Sequence, residues 1–319
     1  MLQILAITTP IYLIIAAGYL AVRCGLFAKP EMRVLGRFVI NFCTPALIFR
    51  ALSQRSLGEV LNAPFLLAYA LGSLVVLLGA IAYVRRVRRQ PLTAAAMQGL
   101  GMSASNSAFI GYPIALQLIG PPAGVALALC MVVENLLILP LALALADRGD
   151  NSHGAGQRWH RALAESFKGL LKNPMIAAIV AGFGFALLGL QLPEVLARTV
   201  QIVATAASPI SLFVIGGTLV GLQLSGVRRD MATISLGKLV LHPLAVLAVL
   251  LLLPPIDPAL RVAAVVFASV PMLSIYPVVA QKYHLEGLTA AALLVTTVAS
   301  FLSISLLLWA LHALLGWTP

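Results

Sequence analysis

The chain has 319 residues, of which 61% are hydrophobic and only 10% charged, and its mean hydropathy is +1.01. A soluble domain carries about 25% charged residues, so this composition excludes an ordinary soluble enzyme or binding module and indicates a multispanning membrane protein. The net charge of +11 does not call for nucleic acid, because the basic residues sort by loop.

A membrane helix needs roughly 20 mostly apolar residues. Such stretches lie near 4–22, 34–53, 63–84, 93–118, 122–146, 173–191, 194–222, 231–253, 257–281 and 288–315. The first, "ILAITTPIYLIIAAGYLAV", lacks a basic start and is too long for a signal-peptide core, so it is expected to remain as a helix.

Loops 23–37, 85–89, 147–172 and 228–229, with Lys282, hold 16 of the 21 Lys and Arg. The alternate loops hold Arg50, Arg55, Arg198 and Arg261, and Lys238 stands inside a span. The positive-inside rule assigns the first set to the cytoplasm and both termini to the outside, the orientation of a protein of the bacterial inner membrane. Tyr12, Tyr83, Trp309 and Trp317 fall near span ends, where interfacial anchors belong.

Cys24, Cys43 and Cys130 are too far apart and too few for a disulfide framework or a metal site, and are read as small packing residues. No metal or organic cofactor is expected. "GG" at 216–217 with Gly221 indicates close helix packing in the seventh span.

The only long polar segment is 147–172, midway along the chain. It divides the sequence into a first five-span half (1–146), a cytoplasmic linker (147–172) and a second half (173–319). A constant offset of 164 pairs Pro10 with Pro174, Gly18 with Gly182, Pro45 with Pro209 and Phe49 with Phe213. It also pairs Ser105 with Ser269, Tyr112-Pro113 with Tyr276-Pro277, and Gln117 with Gln281. Five spans per half is odd, so the repeats are inverted, as in secondary transporters.

In the fourth span "SASNSAFIGYP" (103–113) carries Gly111 and Pro113, which predict a break between Asn106 and Pro113. In the ninth span Pro271 and Pro277 bracket a similar interruption, "SVPMLSIYP" (269–277). Irregular backbone at membrane depth is tolerated only where protein or a watery cavity satisfies it. Half-helix N-termini facing a shared crossing suit an anion or carboxylate. Ser103, Ser105, Asn106, Ser107, Ser269 and Ser274 add neutral hydrogen-bonding groups there.

The stretches "NFCTPALIF" (41–49), "SNSAFIGYPIALQLIG" (105–120), "KLVLHPL" (238–244) and "VPMLSIYPVVAQKY" (270–283) resemble the auxin efflux carrier family, including bacterial members assigned as malonate or dicarboxylate transporters. The resemblance covers the whole chain. It implies a fold like the bile-acid symporters: spans 1, 2, 6 and 7 as a scaffold carrying a homodimer contact, and spans 3–5 and 8–10 as a transport domain moving like an elevator. It further implies that Asn106 contacts a substrate carboxylate. At the matching place in the ninth span stand Val270 and Pro271, a departure from the motif. Pro45, within the first matched stretch, is grouped with Gly111, Pro113, Pro271 and Pro277 as a site candidate. The short central loop lacks the long regulatory loop of plant carriers, which argues against a plant hormone as substrate.

Glu134, followed by Asn135, lies about 12 residues into the fifth span, where an ionisable group is a functional candidate by default. Lys238 and His242, at i and i+4, share a face of the eighth span. These four are the candidates for ion or proton coupling, either H+ or Na+. Lys238 lies nearer a span end, from which it can snorkel instead.

No His-Glu-x-x-His, Gly-x-Ser-x-Gly or membrane Asp pair is present, so an intramembrane enzyme is not expected. The reading is a ten-span all-α carrier of a small organic anion such as malonate. The alternatives are a sodium-coupled carrier of bile-acid-symporter type and an anion channel.

Overall fold

The computed structural model describes residues 2–54, 62–149, 173–221 and 228–315, without the side chains of 2–8 and 311–315. Its helices are α1 (Leu2–Arg23), α2 (Lys29–Ser53), α3 (Ala63–Arg86), α4 (Leu92–Ser103), α5 (Tyr112–Ile119) and α6 (Pro122–Gly149). After the linker come α7 (Pro174–Leu188), α8 (Glu194–Thr218), α9 (Arg228–Leu252), α10 (Pro258–Ser269), α11 (Tyr276–Ala280) and α12 (Glu286–Leu315). Among the described residues there is no strand.

The helices fall on the expected apolar stretches, the fourth and ninth of which hold two each, α4 with α5 and α10 with α11. Helices α2, α3, α6, α8, α9 and α12 are long and apolar enough to cross a membrane, and Thr9–Arg23, α7 and α10 are shorter apolar helices. Leu13, Val75, Leu188, Leu252 and Leu302 are more than half exposed. Exposed apolar area of that extent on helices of that length fits lipid contact. Most of the expected linker, and Trp317, lie outside the described residues.

Prolines shape these helices in a repeated way. Pro45, Pro113, Pro140 and Pro243 each follow by two positions a five-residue π turn: Val39–Cys43, Ser107–Gly111, Glu134–Ile138 and Gly237–Leu241. A proline ring clashes with the carbonyl four residues back and donates no bond to it. Widening the preceding turn to i→i+5 accommodates the ring while the chain stays helical.

Elsewhere proline helps start helices. Asn62, Asn173 and Asp257 cap the amides of Phe65, Met175 and Ala259, each ahead of a proline in the first helical turn. Both devices suit the missing N–H.

Glycines set the closest helix contacts. A Cβ at Gly18 would strike the Phe213 carbonyl, one at Gly216 the Ile15 carbonyl, and one at Gly217 the Met32 side chain, so α8 lies against α1 at backbone distance and against the Met32 side chain of α2, the close packing that the Gly-Gly pair predicted. A Cβ at Gly182 would lie 2.9 Å from Leu52 Cβ and 3.2 Å from the Phe49 carbonyl. Gly18 with Phe213 and Gly182 with Phe49 are one contact made twice, since the offset of 164 exchanges the members of the pairs.

Four contacts join ends of helices that carry the basic loops. Lys29 Nζ donates to the Val220 carbonyl and Arg88 pairs with Asp230. Thr93 Oγ1 donates to the Ala146 carbonyl and Lys282 pairs with Asp147. These loops lie in the set that the charge rule puts together.

Two aromatic and cysteine expectations change. Tyr12 is half-buried and engaged within the protein: its hydroxyl bonds Ser300 Oγ at 2.8 Å and its ring meets Phe301 of α12 edge-on. Cys43 and Cys130 are buried as expected, but Cys24 is exposed, since it follows the end of α1. Tyr83 and Trp309 remain partly exposed.

Overpacking a tight contact costs about 1–3 kcal/mol. Gly216→Leu and Gly182→Leu should therefore each lower the melting temperature of the protein purified in detergent by several degrees. Gly79→Leu, where an added side chain meets nothing, should leave it nearly unchanged.

Candidate functional site

The first break spans Ala104 to Asn106, after which the chain re-enters helix through the π turn at Ser107–Gly111 and continues as α5. It is shorter and earlier than the expected Asn106-to-Pro113 interval, because the π turn absorbs Pro113 without loss of helix. The second break runs from Val270 to Ile275 between α10 and α11, starting one residue before Pro271 and ending two before Pro277, so it overlaps the interval the two prolines bracket.

The two breaks touch. The backbone N–H of Asn106 donates to the Pro271 carbonyl at 2.8 Å. Gly111 abuts Phe267, where a Cβ would sit 2.6 Å from the ring, and Gly101 abuts the Tyr276 hydroxyl, which donates to the Met97 carbonyl at 2.8 Å. Ala104, Ser105, Asn106, Val270, Pro271 and Met272 are all buried, the protein-lined setting that irregular backbone requires in lipid. The Phe109 carbonyl, four residues before Pro113, takes a bond from Ser211 Oγ of α8 at 3.1 Å instead of the missing helical one.

A connected polar cluster backs the crossing. Glu134, 1% exposed, accepts at Oε1 from the Tyr69 hydroxyl (2.8 Å), Ser107 Oγ (2.7 Å) and the Ser105 amide (3.2 Å). Its Oε2 is buried with no partner among the described residues.

Lys238, fully buried, sends Nζ to Ser105 Oγ (2.6 Å), His242 Nδ1 (2.7 Å) and the Ala268 carbonyl (2.8 Å). Three acceptors match the three protons of an ammonium. With Nδ1 accepting, His242 carries its proton on Nε2, which lies 2.8 Å from Ser73 Oγ. Ser105 Oγ is also 3.2 Å from the Tyr69 hydroxyl.

Lys238 therefore does not snorkel, and it meets Glu134 through Ser105 rather than as a direct ion pair. Both charged residues sit on the widened turns, Glu134 opening one and Lys238 in the first half of another. Such turns displace a side chain from the regular helical register and are frequent at functional sites.

The structure thus gathers Ser105, Asn106, Ser107, Glu134, Lys238 and His242. The Asn106 Nδ2 group is buried and without a partner among the described residues, a spare donor at the crossing. Gly111 and Pro113 lie in the same stretch as close-packing and turn-setting residues. Pro271 supplies the carbonyl that Asn106 bonds, Ser274 is half-buried in the second break and Pro277 opens α11.

Others stand apart from the cluster. Ser269 Oγ bonds its own helix at the Val266 carbonyl, and Asn135, half-buried, bonds the Met131 carbonyl of α6. Pro45 shapes α2 through its π turn. Sequence reasoning missed Tyr69 and Ser73, which at i and i+4 share one face of α3. Two hydroxyls on one face of an otherwise apolar span were the available signal. Among the described residues no group of three His, Cys, Asp or Glu could hold a metal ion.

The family model described as "Membrane transport protein" matches residues 4–309. The chain belongs to this family, that of the auxin efflux carriers. It is 28% identical over 314 residues to a protein of Rhizobium meliloti named "Putative malonate transporter", covering 98% of this chain and 97% of that one. It is 25% identical over 246 residues to the "Uncharacterized transporter YfdV" of Escherichia coli K12, covering 75% and 76%. It is 22% identical over 216 residues to the mouse "Lysosomal cholesterol signaling protein", covering 65% of this chain but 25% of that longer one.

Leaving buried acceptors unpaired costs about 1–3 kcal/mol for each group. Lys238→Met removes the donor to three of them, and should lower the melting temperature by several degrees or more. Lys238→Arg, which keeps charge and donors, should recover part of the loss; equal stability of all three proteins would contradict the network.

Proposed function

We propose that the chain is a secondary carrier of a small organic anion, malonate or a related carboxylate, bound where the two breaks cross. What chiefly supports this is Asn106: a buried amide donor without a partner among the described residues, at the meeting of two helix interruptions, in the motif position where the family resemblance implies a carboxylate contact. Half-helix N-termini add positive dipole ends to the same place.

In this reading all ten apolar stretches span the bacterial inner membrane as two inverted repeats, with both termini outside. A homodimer forms through the scaffold helices. The transport half, with its two breaks, slides as an elevator against that scaffold. The malonate in the name of the Rhizobium relative makes that dianion the first substrate to test. No organic cofactor takes part, and coupling runs through an ion, H+ or Na+, or through none. Crossed breaks also occur in sodium-coupled carriers and in channels, but saturable counterflow would separate a carrier from a channel.

Labelled malonate uptake into proteoliposomes under imposed proton and sodium gradients tests the function. Saturable uptake that accelerates exchange from preloaded vesicles, and that Asn106→Ala reduces at least tenfold with normal purification, is the expected result. Unchanged uptake by Asn106→Ala would remove the crossing amide from the site.

Glu134 is the proton-carrier candidate: Oε2 is free to hold a proton, with Lys238, His242, Tyr69 and Cys130 as its titratable neighbours. If it carries the coupling proton, Glu134→Gln should flatten the pH dependence of uptake. A pH profile like that of the wild type would leave Glu134 a structural role.

A further inference from the structure

A cavity of about 590 Å³ lies between α2, α5, the start of α6 and α8. Arg50, Gln54, Tyr112, Thr205 and Ser208 supply its polar lining. It begins one residue beyond Gly111, on the far side of the π turn from Asn106. Arg50 also lines a second cavity of about 430 Å³ towards the end of α7, so its side chain stands where the two meet. Among the described residues neither cavity is lined by a carboxylate.

Arg50 is half-buried, and among the described residues it has no ion-pair or hydrogen-bond partner for its guanidinium. The Tyr112 hydroxyl likewise has none there, and Ser208 Oγ is buried and unpaired. A partly desolvated guanidinium without a counter-charge is unusual. Its five donors in a planar fork fit one carboxylate through two parallel bonds. A volume in the range of about 300–1,000 Å³ with a few convergent polar groups suits a small-molecule site.

We infer that this cavity is an anion-binding site in which Arg50 takes a substrate carboxylate, with Tyr112 and Ser208 as neutral partners, on the way to the crossing. This deepens the carrier reading and rests on it. The site lies between α2 and α8 on one side and α5 and α6 on the other, so that it selects a carboxylate before the two sides move. The cavity is bordered at Gln54 and Pro121, and the second cavity at Gln54 and Leu192, all next to loops that the charge rule assigns to the outside.

The probe is malonate, with binding measured on purified protein and uptake in proteoliposomes. Arg50→Gln should weaken malonate binding about tenfold to a hundredfold, the scale of a lost charged hydrogen-bonded pair, and raise the KM for uptake more than it lowers kcat. Arg50→Lys should recover less than half of that change on a logarithmic scale, since a point charge cannot form the paired bonds.

Malonate should also slow the reaction of phenylglyoxal with Arg50, followed by mass spectrometry, but not with Arg198, which is mostly exposed and paired with Glu194. That readout uses the unaltered protein and does not depend on a variant folding. Unchanged affinity in Arg50→Gln, or no protection of Arg50 when malonate binds, would overturn the cavity assignment while leaving the crossing as the site. Absence of malonate binding by the wild type would overturn both.

Discussion

The ammonium of Lys238 ties the two halves of the molecule together. From α9 it reaches Ser105 Oγ in the first break and the Ala268 carbonyl just before the second, while His242 takes its third proton. A buried cation is costly unless it is fully bonded, so the arrangement specifies one relation between the breaks: any large displacement would strand a charge in a dry interior. The tail of this constraint runs through His242 to Ser73, and through Ser105 to Tyr69 and Glu134. The crossing is thus held by a connected set of hydrogen bonds rather than by apolar packing alone.

Contacts beside the crossing follow the sequence offset and the polar cluster does not. The exchanged contacts of Gly18 with Phe213 and Gly182 with Phe49 follow the offset of 164. The same offset carries Glu134 to Val298, Lys238 to Leu74 and His242 to Leu78. The paired glycine contacts and the two breaks therefore follow the offset, and the charged residues of the cluster do not. A cluster of this one-sided kind gives the two faces of the crossing different electrostatics.

Much of this was legible in the sequence, and for physical reasons. Lipid demands long apolar runs, so the helices are visible in hydropathy. Proline cannot complete a helical bond, so Pro271 and Pro277 flag the second break, while Pro113 flags a stretch whose break lies several residues earlier. Lys238 and Glu134 stand out because charge is rare at depth. What was hidden was geometry: the π turns that moved the first break forward to Ala104, the contact of half-buried Tyr12 with α12, and the partnership of Tyr69 and Ser73 with residues 36 to 169 positions away. Ser269 and Asn135 have the right chemistry for a site yet spend their polar groups on their own helices, which only side-chain positions reveal. Arg50 was counted as a loop charge for the same reason, since its place between two cavities depends on α8 folding back across α2.

The central claim is that the crossing binds the substrate and meets each side of the membrane in turn. A cysteine at Ser274, half-buried in the second break, tests it most directly in a Cys24→Ser background, which removes the exposed native thiol. The measurement is its rate of labelling by a membrane-impermeant maleimide applied from either side of oriented proteoliposomes, with and without malonate. Labelling from both sides, slowed by malonate on each, is the predicted result. Labelling from one side only, at a rate malonate does not change, would contradict the account.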